Sequence, residues 1–324
     1  MFFWMALFSC LLAMALTPTV GKIGWRIGAL DVPRDWRRMH RAAIPRSGGA
    51  AIFLSFLIAT LASAEITAFV RTAIFGGGLF FLLGLMDDIF CLRAYTKLFL
   101  QIPIAFLSVY WSGVVSENGL LLSTLWILML VNAHNFVDGL DGLLSGTAAI
   151  EGGALCVCFL LLDQTSLALP PLLLGAACLG FRHFNRFPAQ IFAGDCGSQS
   201  VGFLLGYLSL PLLFSVPHDV HLLSPLFLFA YPLTDLATAV LRRALRGKSP
   251  FSADRAHLHH RICDAGIPHA KCSDILHLIS GSMAVIGVLL CNGQFLLPAG
   301  IACLLAAFLL IYLRRAIVNF AIGY

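Results

Sequence analysis

Charge is scarce in this sequence. Only 11% of its 324 residues are Asp, Glu, Lys or Arg, while 59% are hydrophobic; soluble globular chains carry about 25% charged residues. That shortage excludes an ordinary soluble domain and makes lipid the solvent for most of the chain. Paired cysteine spacing is missing as well. Ten cysteines are present, several of them inside apolar runs (Cys10, Cys156, Cys158, Cys178, Cys291, Cys303), but there is no CxxC pair. They read as small packing residues rather than as a redox or metal framework. Basic residues are absent ahead of the first apolar run, Met1 to Val20, and begin only at Lys22. A secretory leader carries its positive charge in front, so this segment is expected to persist as a first span whose C-terminal end faces the cytoplasm. Internal repeats, low-complexity tracts and amphipathic soluble stretches are also lacking.

What is present is a series of apolar runs. A spanning helix needs about 20 mainly apolar residues, or somewhat fewer when its ends are buried in protein. Eleven segments qualify: 1–20, 48–64, 71–90, 96–113, 120–137, 141–162, 165–181, 198–215, 222–241, 275–291 and 295–313. With the N-terminus outside, the inner segments are 21–47, 91–97, 182–197, 242–274 and the tail after 313. They hold 20 of the 21 Lys and Arg residues, Arg71 being the exception. Positive residues mark cytoplasmic loops, so the net charge of +5 reports membrane orientation and not a nucleic-acid partner. The expected fold is an all-α, polytopic transmembrane helical bundle forming a single domain over 1–324. It has about eleven spans, with ten as the alternative count, its N-terminus outside and its C-terminus cytoplasmic. Outer connections such as 114–119 and 216–221 are too short to build a site. The inner loops 21–47, 86–97, 132–141, 182–197 and 242–274 are therefore expected to form it, on the cytoplasmic face of the inner (plasma) membrane.

Four polar clusters fall at inner span ends. Asp87 and Asp88 close the third span. A charge inside a bilayer costs about 2.5–3.5 kcal/mol on insertion scales, and neighbours on a helix point about 100° apart, so the two acids should have separate roles. Asn132, Asn135, Asp138 and Asp141 recur every three residues through NAHNFVDGLDG, a winding polar stripe on one side of a helix. Gly194-Asp195-Cys196-Gly197-Ser198 precedes the eighth span; free N–H groups and a positive dipole end there would suit a phosphate. In the longest inner loop, Arg255, His257, His259, His260 and Arg261 follow one another. On a helix His257, His260 and Arg261 could share a face, which favours an anion such as pyrophosphate over a chelated metal. Asp235 could serve the site or pair with Arg242 and Arg243. Glu151, inside the sixth span, has no evident partner. Acids, glycine turns and a basic loop on one membrane face suit Mg²⁺-dependent phosphoryl transfer, with one lipid and one soluble substrate.

These residues resemble the polyprenyl-phosphate N-acetylhexosamine-1-phosphate transferases, the WecA, TagO and MraY superfamily. The likeness runs from Asp31-Val32-Pro33 and His40 through Ile44-Pro45-Arg46-Ser47-Gly48-Gly49, Asp87-Asp88, Lys97, the NxxNxxDGxDGL run, the GDxGS string and the RxHxHH loop. The SPFSADR lead into the histidines is similar to the WecA-like branch. The resemblance implies a UDP-N-acetylhexosamine donor, an undecaprenyl-phosphate acceptor, UMP release, and Mg²⁺ as cofactor with Mn²⁺ as a substitute. It implies Asp195 as the metal ligand, Asp87 as a base supported by Asp88, and Lys97 on a phosphate. Asn135, Asp138 and Asp141 would line the nucleotide pocket, with Asp138 and Asp141 counted with the catalytic acids. His40, Asn132, Arg255, His257, His259 and His260 would contact substrate. Direct attack by the lipid phosphate is the expected mechanism, with a covalent aspartyl intermediate as the alternative; a homodimer remains open. Rival readings are an ion-coupled secondary transporter, a membrane zinc enzyme, and the phospho-MurNAc-pentapeptide transferase of the same superfamily.

Overall fold

The computed structural model describes residues 1–32, 43–63, 66–214, 223–247, 249 and 257–294. These form an all-α polytopic membrane protein whose helices run in chain order as α1 (Phe2–Ile27), α2 (Gly49–Ala62), α3 (Ala68–Phe90), α4 (Ala94–Ser112), α5 (Leu120–Val137), α6 (Leu143–Leu161), α7 (Thr165–Asn185), α8 (Gly194–Leu208), α9 (Leu210–Phe214), α10 (Leu223–Leu228), α11 (Ala230–Leu245), α12 (Leu258–Asp264) and α13 (His269–Cys291). Between α1 and α2, strands β1 (Leu30–Asp31) and β2 (Ile44–Pro45) make a short antiparallel bridge. Helices coincide with ten of the eleven apolar runs. The run 295–313 lies outside the described residues, as do His40 and Arg255. Among the described residues, seven helical stretches are long and apolar enough to cross a membrane: Phe2–Ile27, Ala68–Phe90, Glu117–Val137, Leu143–Leu161, Thr165–Asn185, Gly194–Phe214 and His269–Cys291. The ninth expected span is broken in two, α10 and α11.

Helix α8 is the axis of the bundle. Every residue from Gly194 to Leu208 is buried, whereas α1 turns Phe3, Trp4, Leu11 and Trp25 outward, as a lipid-facing helix does. In lipid, helices associate through small residues that let backbones approach, and three glycine contacts hold α8 this way. Gly49 of α2 lies on the Gly197 backbone, Gly84 of α3 on the Asp195 carbonyl, and Gly202 of α8 on Leu130 and Val131 of α5. Between α3 and α8 an aromatic ladder fills the seam: Phe80 stacks on Phe203 at 4.8 Å, Phe203 on Tyr207 at 5.6 Å, and Tyr207 on Phe69 at 4.7 Å between ring centres.

Gly84 ties packing directly to the site, because any Cβ there would collide with the carbonyl of Asp195. Gly84→Ala is therefore expected to push α3 off α8. Overpacking of this kind costs about 1–3 kcal/mol, visible as a lower unfolding temperature in detergent.

Candidate active site

The site sits where α3 and α5 end and α4 and α8 begin. Helix α3 stops at Cys91, which takes a left-handed conformation (φ 53°) with its N–H on the Asp87 carbonyl. The Asp87 side chain then turns back: Oδ1 accepts from the Leu92 N–H at 2.7 Å and Oδ2 meets Lys97 Nζ at 2.6 Å. Asp88 points elsewhere. Its Oδ1 accepts from the Asp195 N–H and its Oδ2 from the Cys196 N–H, both at 2.9 Å, while Arg46 Nε lies 3.4 Å from Oδ1. The adjacent acids thus hold separate partners, as the 100° step between neighbours on a helix requires.

Asp195 gathers three donors. Its Oδ2 accepts from Arg46 Nη2 at 3.0 Å; its Oδ1 accepts from Asn135 Nδ2 at 2.6 Å and Lys97 Nζ at 3.2 Å. Asn135 also donates to Ser198 Oγ at 2.9 Å. Asp138, one residue past α5, lies near the Gly194 backbone and in the field of Arg46, Asp195 and Asp88. Gly194 has to be glycine: its φ is +74°, and a Cβ would meet the Arg46 carbonyl and Asp88 Oδ2. Two of the first three amides of α8, those of Asp195 and Cys196, are thus taken by Asp88. This corrects the expectation that the start of that helix offers free N–H groups to a phosphate; a carboxylate of the protein already caps it.

The polar stripe of α5 also ends sooner than its spacing suggested, because the helix stops at Val137. Asn132 donates to Gln101 Oε1 at 3.3 Å and to the Leu128 carbonyl at 2.8 Å, facing α4. Asp141 accepts from the Ala189 N–H at 2.9 Å and so faces the 186–193 loop.

The histidines form a second cluster beside the first. His257 is the cap residue of α12 rather than part of it, yet its ring lies 5.9 Å from that of His260; within this cluster His257 and His259 are the buried rings. Asp235 holds this cluster. It accepts from Leu258 N–H at 2.9 Å and lies 2.9 Å from His257 Nδ1, which settles its role against local arginine pairing. The His257 ring packs on Phe136 of α5 at 4.9 Å and stacks with His259 at 5.6 Å; His259 meets His260 at 4.2 Å. His259 lies against Gly139 and is only 2% exposed, yet neither of its ring nitrogens has a hydrogen-bond partner among the described residues, whereas buried polar atoms are normally satisfied. Burial, with His260 adding to it, pushes its pKa down to about 3, so it is neutral at pH 7. An unfolded histidine titrates near 6.5. Between those values the unfolded chain binds the extra proton, so stability is complete above about pH 6.5 and falls as pH drops, by up to about 1.4 kcal/mol per unit. We expect the unfolding temperature to fall between pH 7.5 and pH 5, and His259→Asn to lessen the fall.

Arg46 was missed as a site residue, although it stands in the Ile44-Pro45-Arg46 string. Its signal is being the last cation before Gly48-Gly49, of which Gly48 packs against Phe181 and the Phe192 carbonyl and Gly49 brings α2 onto the α8 backbone.

Four acids, Asp87, Asp88, Asp138 and Asp195, face two cations, Arg46 and Lys97. Burial, reinforced by Asp195 and Asp88, drives the Asp138 carboxyl well above its usual range against the pull of Arg46. The excess of negative charge and the hard oxygen donors fit Mg²⁺ or Mn²⁺. Among the described residues, no group of three or more His, Cys, Asp and Glu side chains could hold a metal by itself, because Arg46 and Lys97 sit between the acids. A divalent ion here would depend on substrate phosphates for further ligands, as Mg²⁺ commonly does.

Residues 70–212 match the model of glycosyl transferase family 4. The chain is 32% identical to a probable undecaprenyl-phosphate N-acetylglucosaminyl 1-phosphate transferase of Bacillus subtilis, over 93% of this chain and 88% of that protein. It is 30% identical to the undecaprenyl-phosphate alpha-N-acetylglucosaminyl 1-phosphate transferase of Yersinia pestis, over 86% and 81%. It is 33% identical to the decaprenyl-phosphate N-acetylglucosaminephosphotransferase of Mycolicibacterium smegmatis, over 80% and 74%. The chain belongs to glycosyl transferase family 4, in the company of the polyprenyl-phosphate N-acetylglucosaminyl 1-phosphate transferases.

Proposed function

We propose that this chain transfers N-acetylglucosamine 1-phosphate from UDP-N-acetylglucosamine to undecaprenyl phosphate, releasing UMP and starting a lipid-linked cell-envelope glycan. The observation that carries the reading is the convergence of Asp87, Asp88, Asp138, Asp195, Arg46 and Lys97 from five stretches of chain onto one end of the bundle. A site at the ends of spans suits a lipid acceptor meeting a soluble donor. The concentration of Lys and Arg in the segments at that end supports a site on the cytoplasmic face of the inner membrane. A transporter would bind near the midplane, which this arrangement does not favour.

Phosphoryl transfer is mainly positioning and charge neutralisation. Asp195, with Asp138, would hold Mg²⁺, which when bound supplies neutralisation of the diphosphate charge. Arg46 and Lys97 exchange part of their carboxylate contacts for donor phosphate oxygens. Asp87, beside Lys97, takes the proton of the lipid phosphate. An oxygen of that phosphate then attacks the sugar-bearing phosphorus, the bridging P–O bond breaks, and UMP departs with the bridging oxygen. His257 and His259 stand ready for the sugar or the diphosphate. Asp88 keeps the start of α8, and therefore Asp195, in place.

The test is a panel of radiolabelled UDP-sugars offered with undecaprenyl phosphate to the purified, EDTA-stripped protein. We expect a lipid product from UDP-N-acetylglucosamine that returns on adding Mg²⁺ or Mn²⁺ and not Zn²⁺. Restoration by Zn²⁺ alone, or a product from UDP-MurNAc-pentapeptide in preference, would overturn the reading.

A further inference from the structure

We propose that His134 and Glu151, buried in the bundle and outside the reacting cluster, are positioning residues that set the rotation of α5 and thereby aim Asn135 at Asp195. The inference rests on the reading above. Both side chains are fully buried. His134 Nε2 lies 2.7 Å from Glu151 Oε2, and His134 Nδ1 lies 2.8 Å from the Leu130 carbonyl. A carbonyl only accepts, so Nδ1 carries a proton and the Nε2–Oε2 contact shares one more. That fixes the ring at both nitrogens and aims it at α6.

The last turn of α5 is where this matters. Asn132 reaches Gln101 on α4, His134 reaches Glu151 on α6, Asn135 reaches Asp195 and Ser198 on α8, and Phe136 packs on His257. Four neighbouring side chains thus bond or pack in four directions. Against α8 the backbone of α5 slides close at Gly202, where a side chain would strike Val131. Such a smooth contact resists separation more than rotation. The His134–Glu151 bond, on a different side, supplies the angular restraint. Apolar residues of similar volume commonly match a buried polar pair in stability, so stability alone does not account for an acid placed here. A hydrogen bond adds direction, which packing does not.

The experiment compares wild type with Glu151→Gln, Glu151→Leu and the double variant His134→Leu/Glu151→Leu. It reads kcat and donor KM, thermal unfolding, and amide hydrogen exchange across residues 132–138. Glu151→Gln keeps a hydrogen-bonding partner and is expected to hold kcat within about threefold of wild type, while the leucine variants lose about tenfold or more with KM little changed, since small misplacements can cost about 10²-fold. The double variant, with both partners apolar, is expected to recover thermal stability but not kcat, and to exchange faster over 132–138. If Glu151→Leu alone fails to fold, the double variant carries the comparison. Recovery of kcat together with stability in the double variant would overturn the proposal, as would unchanged exchange there. If wild type itself makes no lipid product, the proposed reaction fails, and the exchange data still decide whether this bond holds the end of α5.

Discussion

Asp195→Asn is expected to abolish transfer while leaving the protein folded. The asparagine keeps the shape of the side chain and one oxygen to accept from Asn135 or Lys97, but it removes the charge. Arg46 retains Asp88 and Lys97 retains Asp87, so neither cation is orphaned. Because four acids face two cations, losing one acid relieves repulsion, and the unfolding temperature should stay level or rise. Function is different. A preorganised charged group at the reacting centre is worth about 10²–10³-fold in rate, and a residue that also holds the cation sits at or beyond the top of that range. Activities measured beside melting curves in detergent check this. Near-normal turnover would remove Asp195 from its assigned place, and collapse of the fold would show that its role is architectural.

Asp88→Ala should fail on both counts. Its side chain is wholly shielded, caps two amides of α8 and faces Arg46. Deleting it strands two buried N–H groups, each costing about 1–3 kcal/mol. Breaking a buried ion pair by removing one partner costs about 3–5 kcal/mol, and these overlapping losses set the expected destabilisation. Asp195 would lose its backbone anchor, so residual activity should be negligible. Asp88→Asn, which keeps one accepting oxygen, should fall between alanine and wild type in denaturation. Full stability in the alanine variant would contradict the capping role.

The positions of the helices were legible because lipid imposes long apolar runs, and helices lie on all ten of the runs that fall within the described residues. The gathering of Asp87, Asp88 and Asp195 around Arg46 and Lys97 falls in the stretches that their polar residues had singled out. Partners were harder. Glu151 had no visible mate because His134 lies 17 positions away across a helix end and a turn. Asp235 offered two nearby arginines as decoys, whereas its partner His257 comes from a later segment. The GDxGS string looked like an anion site because sequence shows that amides are free at a helix start. It does not show that Asp88, from α3, has been folded onto them. The histidines were legible as a cluster, since the His257 and His260 rings lie 5.9 Å apart, but the cap position of His257 and its Asp235 partner were not.

The central claim is that the sugar moves together with its phosphate, and one labelled substrate tests it. UDP-N-acetylglucosamine carrying ³²P at the sugar-bearing phosphorus, incubated with undecaprenyl phosphate and the purified protein, should pass its label into the lipid fraction and leave UMP unlabelled. Label recovered in free UDP, with unlabelled sugar on the lipid, would mean that the bond to the sugar carbon breaks instead, and would contradict the account.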